Sequence, residues 1–459
     1  MTAIDTEQPT RVDRPNSALT LAARDGVAPS RRVGFIVTLT ILAGLGAAII
    51  GVVGPFAGSE EHVITGSILV AFAISWALLA FATKRWTDQP QTWANVPAAV
   101  MGAAGATILV IQPTGNEAGW LWPPAIMALV GWMTIRARRH LRSRSRGFVL
   151  YPVFAVLALT AIGGAYETYN ESTDPTNADM PGRLVAVGGH KLHINCQGSG
   201  SPTVVLEGGL GALSTTMASW IAPNVATTTR VCVYDRAGRG WSESAPAPQD
   251  GTGVATDLHT LLRNAGEPGP YVLAGHSAGG IYVLNFARLF PADVTGIALI
   301  DSMHPEQYER MASWPGFYQM YRRASALMPT LARLGVGRVV YGAQDNRLPS
   351  PQREQEPALL ATPRHNRSIR DEFSQIRAAM NQAAELHSVG DTPLVVVTAT
   401  EGVDPDWNPM QADLTGLSTN AVQRFVPNAT HAMLVADTHA ARQSSEAILD
   451  LVASVRETG

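Results

Sequence analysis

A serine with a glycine two residues to either side is the first candidate for chemistry in this 459-residue chain: Gly275-His276-Ser277-Ala278-Gly279. An apolar, strand-like run (271–274) precedes it and a helical stretch (280–290) follows it. A strand that turns directly into a helix leaves so little room that the flanking residues must be small, and the serine at the tip is held with its hydroxyl exposed. The helix N-terminus beneath it supplies free N–H groups and a positive dipole end, which suit a developing oxyanion. A serine hydroxyl is a poor nucleophile until a base takes its proton. His431 is the candidate base, because it follows a strand-like run (423–426) and precedes the last helical segment (440–456). The chemistry indicated is attack of Ser277 on an acyl carbon.

The elements that would position these groups have a regular rhythm. Short apolar, β-branched runs fall at 203–206, 231–234, 271–274, 296–300 and 393–398. They read as strands buried on both faces. Helical segments such as 255–264, 280–290 and 440–456 lie between them. That alternation predicts a mostly parallel sheet with helices on both faces.

In this context residues 183–455 resemble the α/β-hydrolase superfamily, most of all its esterase, lipase and haloperoxidase-type members with a cap. Four segments carry the resemblance in order. Leu206-Glu207-Gly208-Gly209-Leu210-Gly211 stands where the family has His-Gly and then the oxyanion residue. Asp235-Arg236-Ala237-Gly238-Arg239-Gly240-Trp241-Ser242 is similar to the family's Asp-Arg-x-Gly-x-Gly-x-Ser loop. The serine elbow follows, and Thr430-His431 stands where the family keeps Gly-His. The resemblance implies an oxyanion hole from the N–H groups of Ala278 and Gly209, with Leu210 as the lesser choice for the second. Glu207 departs from the family's His, which implies tuning rather than loss of activity. Asp235 is expected to brace its own loop. Serine at the elbow excludes dehalogenase and epoxide-hydrolase chemistry, which would need Asp there.

The carboxylate that orients His431 has three candidates. The family's usual place follows 393–398, where the chain offers Glu401 and Asp404; a known variant places the acid after the preceding strand, here Asp301. Asp301 is favoured, with Asp404 and Glu401 as alternatives. Residues 303–390, between two strands, are expected to form a helical cap whose Trp314, Phe317, Tyr318 and Met320 suit a small-molecule or lipid acyl substrate. Cys196 and Cys232, on adjacent early strands, are expected to form a disulfide. His190 and His193 lack a third metal ligand nearby, and the reading calls for no metal and no cofactor.

The first third of the chain is different. Residues 1–32 form a polar, Arg-bearing tail expected to be disordered. Five charge-free runs follow, at 33–56, 63–83, 94–112, 119–135 and 148–166. About 20 apolar residues cross a bilayer, so a five-span helical bundle (33–168) is expected, joined by a linker (169–182) to the hydrolase domain (183–459). Arginines crowd the tail, and Lys84 and Arg85 occupy the second loop. Arg136, Arg138, Arg139, Arg142, Arg144 and Arg146 occupy the fourth. The first loop, and the third around Asn116 and Glu117, have no Lys or Arg. Positive loops lie inside, so the tail is expected in the cytoplasm and the hydrolase domain outside the cytoplasmic membrane.

Composition fits. Charged residues are 15%, against about 25% in soluble domains, and mean hydropathy is +0.06. A net charge of −3 argues against nucleic-acid binding. The expected activity is hydrolysis of carboxylic esters. Acyl transfer to a cell-envelope acceptor, or a membrane sensor with a lapsed hydrolase domain, are the alternatives.

Overall fold

The computed structural model describes residues 29–113, 118–142, 144, 146–174, 179–344 and 346–458. The tail to residue 28, and Asn116 and Glu117 of the third loop, lie outside the described residues. Five helices come first: α1 (Pro29–Val53), α2 (Glu61–Trp86), α3 (Asn95–Ile111), α4 (Trp122–His140) and α5 (Tyr151–Thr173). Among the described residues, four stretches rather than five are long and apolar enough to cross a membrane: Arg32–Val53, Glu61–Trp86, Thr92–Ile111 and Gly147–Thr173. Helix α4 falls short because its last turn is Arg138, Arg139 and His140.

Even so, α4 runs the length of the bundle beside α5. At one end, Thr168 Oγ1 donates to Gly119 O at 3.3 Å, and Trp122 fills the space beside Gly164. At the other end, Gln91 Nε2 donates to His140 O at 3.1 Å and Arg142 N to Gln89 Oε1 at 2.9 Å. Close approach of α2 and α3 depends on Gly66 and Gly105; a Cβ on Gly105 would lie 2.9 Å from Gly66 O. Gly102, on the same helix, faces Ala73 at ordinary contact distance. Such backbone proximity is how helices associate where lipid removes the hydrophobic drive.

The rest of the chain is built on an eight-stranded sheet: β1 (Arg183–Ala186), β2 (Lys191–Gln197), β3 (Thr203–Glu207), β4 (Val231–Tyr234), β5 (Tyr271–His276), β6 (Val294–Ile300), β7 (Leu394–Glu401) and β8 (Ala421–Thr430). The order is β1-β2-β4-β3-β5-β6-β7-β8. Only β1–β2 and β2–β4 pair antiparallel. Cys196 and Cys232 are direct partners across β2 and β4 and form a disulfide.

Each central strand feeds two cores. Tyr271 and Leu273 of β5 join one face, with α8 (Gly251–Ala265) and α9 (Ala278–Leu289). Val272 and Ala274 join the other, with α6 (Ser214–Ser219), α7 (Ile221–Ala226) and the long C-terminal helix (Thr438–Thr458). This period-2 division of an unbroken apolar run is why the sequence shows no polar alternation. Between β6 and β7 lies a helical insert: α10 (Gln307–Arg310), α11 (Trp314–Ser325), α12 (Met328–Arg333), α13 (Val336–Gly342), α14 (Gln352–Leu360) and α15 (Pro363–Ala383).

Candidate active site

Ser277 sits between β5 and α9 at φ 55°, ψ −124°. This is a strained conformation for a non-glycine residue. The glycines explain how the turn closes. A Cβ on Gly275 would lie 2.5 Å from the Gly279 carbonyl carbon, and one on Gly279 would lie 2.4 Å from Glu207 O. The turn is pinned by Ser277 N donating to Ile300 O at 3.1 Å and Met303 N donating to Ser277 O at 2.9 Å.

His431 follows β8, and its Nδ1 lies 2.6 Å from Asp301 Oδ2. Asp301 directly follows β6 and is fully buried. Its other oxygen accepts from Trp407 Nε1 at 2.8 Å and Ala399 N at 3.1 Å. With both oxygens engaged, the carboxylate has one orientation toward His431. Asp404 and Glu401 are not at this place. Asp404 accepts from Ser313 Oγ at 2.8 Å and from Asp406 N at 3.0 Å; Glu401 is exposed at the end of β7. Among the described residues no hydrogen bond joins Ser277 Oγ to His431, a contact that commonly tightens only when substrate is bound. The His276 ring lies tilted against that of His431, with centroids 4.6 Å apart. Burial, reinforced by His431, lowers its pKa to about 3, so His276 stays neutral near pH 7.

Gly209 faces the nucleophile: a Cβ there would be 3.0 Å from Ser277 Cβ. Its loop is held by a buried charge cluster that the sequence did not announce. Arg236 donates to Gly208 O at 2.7 Å and to Gly209 O at 2.6 Å. It also pairs with Glu207 and, at 2.9 Å, with Glu372. Glu372, from α15 of the insert, also accepts from Gly211 N at 2.9 Å and Tyr282 OH at 3.0 Å, and pairs with Arg239. With the Gly208 and Gly209 carbonyls turned toward Arg236, the loop's peptide planes are fixed. Glu207, at the family's His position, receives Tyr234 OH and Arg236. Arg236 was visible within its motif; Glu372 had no sequence signal, since only folding brings residue 372 to residue 211.

Asp235 accepts from Ser214 N at 2.8 Å and lies 2.8 Å from His193 Nδ1, both side chains wholly buried. Burial opposes charge on His193, but the Asp235 carboxylate prevails and raises its pKa. Burial likewise opposes charge on Asp235, but His193 and Ser214 hold it below its usual value. The raised histidine stabilises the fold fully below its unfolded pKa and less as pH rises through the folded value; the depressed aspartate does the reverse on the acid side. The pair is therefore expected to contribute most between about pH 4 and 6.5. His193→Gln should lose more stability relative to wild type at pH 6 than at pH 9, measured by thermal unfolding; an equal loss at both would refute the charged pair.

A cavity of about 730 Å³ does not include Ser277. It lies at the junction of the helical bundle and the insert, lined by Glu61, Gln112, Arg236, Arg333, Arg364 and Arg367 among others. The chemistry points instead to the Ser277–His431 surface.

Residues 202–336 match the family model of the alpha/beta hydrolase fold, covering the elbow, β3 to β6 and the start of the insert. The C-terminal domain has the α/β-hydrolase fold. Three of the four segments lie within the matched residues, and the resemblance to the α/β-hydrolase superfamily is borne out at that level. The hydrolase domain is also similar, at the level of fold, to a putative lipase from Acinetobacter baumannii AYE (17% identity, 64% of this chain and 97% of that one, TM-score 0.49). A thermophilic esterase from Thermogutta terrifontis (19%, 60% and 98%, TM-score 0.45) is a second such likeness. Among curated relatives, an uncharacterized Schizosaccharomyces pombe protein is 27% identical over 296 residues, 56% of this chain and 53% of that protein. An uncharacterized vacuolar membrane protein of Saccharomyces cerevisiae is 26% identical over 201 residues, 39% of this chain and 30% of that protein. The chain thus spans about half the length of the first of these relatives and less of the second.

Proposed function

We propose that the hydrolase domain cleaves carboxylic esters through an acyl-enzyme on Ser277. The observation that carries this reading is a strained serine at the β5–α9 elbow together with His431, whose Nδ1 is held by the buried, fully engaged Asp301 that follows the neighbouring strand β6. His431 takes the Ser277 proton as Oγ bonds to the acyl carbon. The tetrahedral oxyanion is met by the N–H groups of Gly209 and Ala278; one such donor is worth about 3 kcal/mol of transition-state stabilisation. His431 then returns the proton to the leaving alcohol, and water, activated by the same histidine, releases the acid.

In this reading the chain has an inner tail (1–32), a five-span bundle (33–168), a linker (169–182) and a hydrolase domain (183–459) whose insert (303–390) serves as cap. Helix α4 counts as a span because it pairs with α5 from end to end. The domain lies outside the cytoplasmic membrane. Two features support that side. The insert touches the bundle at the end without Lys or Arg, through Glu61 and Glu167, while Lys84, Arg85 and the Arg136–Arg146 loop lie at the other. The Cys196–Cys232 disulfide also suits an oxidising compartment.

The test is a fluorophosphonate probe applied to membranes holding the full-length protein. Labelling that disappears in Ser277→Ala and is blocked by competing ester is the expected result. No labelling, or labelling that survives in Ser277→Ala, overturns the reading.

A further inference from the structure

The insert is attached to the bundle in a way that a soluble domain on a tether does not need. Arg333 and Arg367 both pair with Glu61 at the start of α2, and Arg338 pairs with Glu167 near the end of α5 at 2.9 Å. Below these two carboxylates the contact continues down the bundle. Thr330 and Thr65 share a hydrogen bond at 2.7 Å. The turn between α12 and α13 lies backbone on backbone against α5: a Cβ on Gly335 would be 2.6 Å from Gly163 O. Thr65 lies four residues below Glu61 and Gly163 four below Glu167, so both contacts sit about 6 Å deeper than the carboxylates. Amphipathic helices lying in a bilayer surface bury their apolar face about 5–10 Å into the headgroup and acyl boundary.

The surface that α12 and α13 present at that depth is apolar and uncovered. Val336, Val339 and Val340 recur at helical spacing and are 39%, 69% and 48% exposed; Leu331 of α12 is 41% exposed. A soluble surface rarely gathers such side chains in so short a stretch. This one is continuous with α5, whose Leu159, Ile162 and Tyr166 are also exposed. The arginines above it take the place of snorkelling cations at the headgroup level. From this wedge a chain of packed apolar side chains continues toward the Gly211 loop. Helix α12 packs on α15. Phe317 and Tyr321 of α11 pack with tilted rings, centroids 4.3 Å apart, and Tyr321 stacks on Phe373 of α15 at 5.7 Å. One turn earlier, Ile369 meets Gly211 of the oxyanion loop.

We propose that α12 and α13 are seated in the bilayer leaflet on the hydrolase side, and that the ester reaching Ser277 is an amphipathic acyl lipid drawn from that leaflet along α11 and α15. The substrate half of this statement rests on the ester-hydrolase reading; the seating half does not.

Two measurements on the full-length protein in phosphatidylcholine vesicles test it. A bimane probe on Val339→Cys reports the seat, with Thr227→Cys as the water-exposed control. Nitroxide lipids labelled near the headgroup should quench the Val339 probe, while aqueous iodide quenches only the control; quenching of Val339 by iodide as in the control overturns the seating. For the substrate, the Val339→Glu/Val340→Glu variant should lose about tenfold in kcat/KM on a long-chain ester carried in the vesicles and stay within about twofold on a short, water-soluble ester. An equal change on both esters overturns lipid entry. Turnover of neither ester by the wild type overturns the hydrolase reading and the substrate class with it, and the quenching result then decides the seating alone.

Discussion

Asp301→Asn is expected to lower kcat on a soluble ester by about 10⁴-fold, while Asp404→Asn and Glu401→Gln stay within about twofold of wild type. The reason is geometric. Asp301 Oδ1 already accepts from Trp407 Nε1 and Ala399 N, so Oδ2 is directed at His431 Nδ1 at 2.6 Å. An amide there keeps the shape but presents no second carboxylate oxygen, so His431 is held in the tautomer with its proton on the wrong nitrogen and gains no counter-charge when it becomes imidazolium. Asp404 and Glu401 have no part in this contact. Steady-state kinetics on the three variants, each confirmed to be folded by its thermal unfolding transition, checks the assignment. Near-normal turnover in Asp301→Asn would sink it. Trp407→Phe, which removes one of the bonds that aim Asp301, should cost less, because Ala399 N still holds the same oxygen.

Glu372→Ala is expected to destabilise the hydrolase domain by about 3–5 kcal/mol, the cost of stranding buried partners of an ion cluster. Burial alone would raise the Glu372 carboxyl, but Arg239 and Arg236 prevail and hold it below the usual carboxylate range. The sign follows. A depressed carboxyl contributes stability above its unfolded pKa and loses it as pH falls through the folded value. Wild type and variant should therefore converge in stability as pH drops below about 4.5, and separate most near neutrality. Thermal loss of Ser277 labelling, followed at several pH values, measures this. A variant as stable as wild type at pH 7 would refute the role given to Glu372. Because Glu372 also accepts from Gly211 N, kcat should fall in the folded fraction as the oxyanion loop loosens.

Much of the candidate site was legible before folding was considered, and the reason is local. Gly275, Ser277 and Gly279 occupy one turn, so the steric demand that selects them is written within five residues. The same holds for the Asp235–Ser242 loop, where Trp241 N donates to Asp235 Oδ2 at 3.4 Å and Ser242 Oγ donates to Asp235 O at 2.6 Å. The alternation of buried strands with helices was legible because both faces of the sheet are covered, which leaves each strand a continuous apolar run. The lipid-length helices were legible because a bilayer removes charge from long stretches. The exception is α4: its run at 119–135 is charge-free, but arginines enter its last turn, and among the described residues it is not long and apolar enough to be one of the four candidate spans.

Residue pattern alone therefore carries short-range order: the elbow, the strand-and-helix rhythm, the apolar helices and the choice of a few acidic candidates. The tertiary structure decided among things far apart in the chain. It placed Asp301 rather than Asp404 at His431, brought Glu372 to Gly211, paired Cys196 with Cys232 across two strands, and set Arg333, Arg338 and Arg367 against Glu61 and Glu167. Each of these depends on where separate elements pack, and packing is a property of summed contacts between segments, not of any one segment's residue pattern.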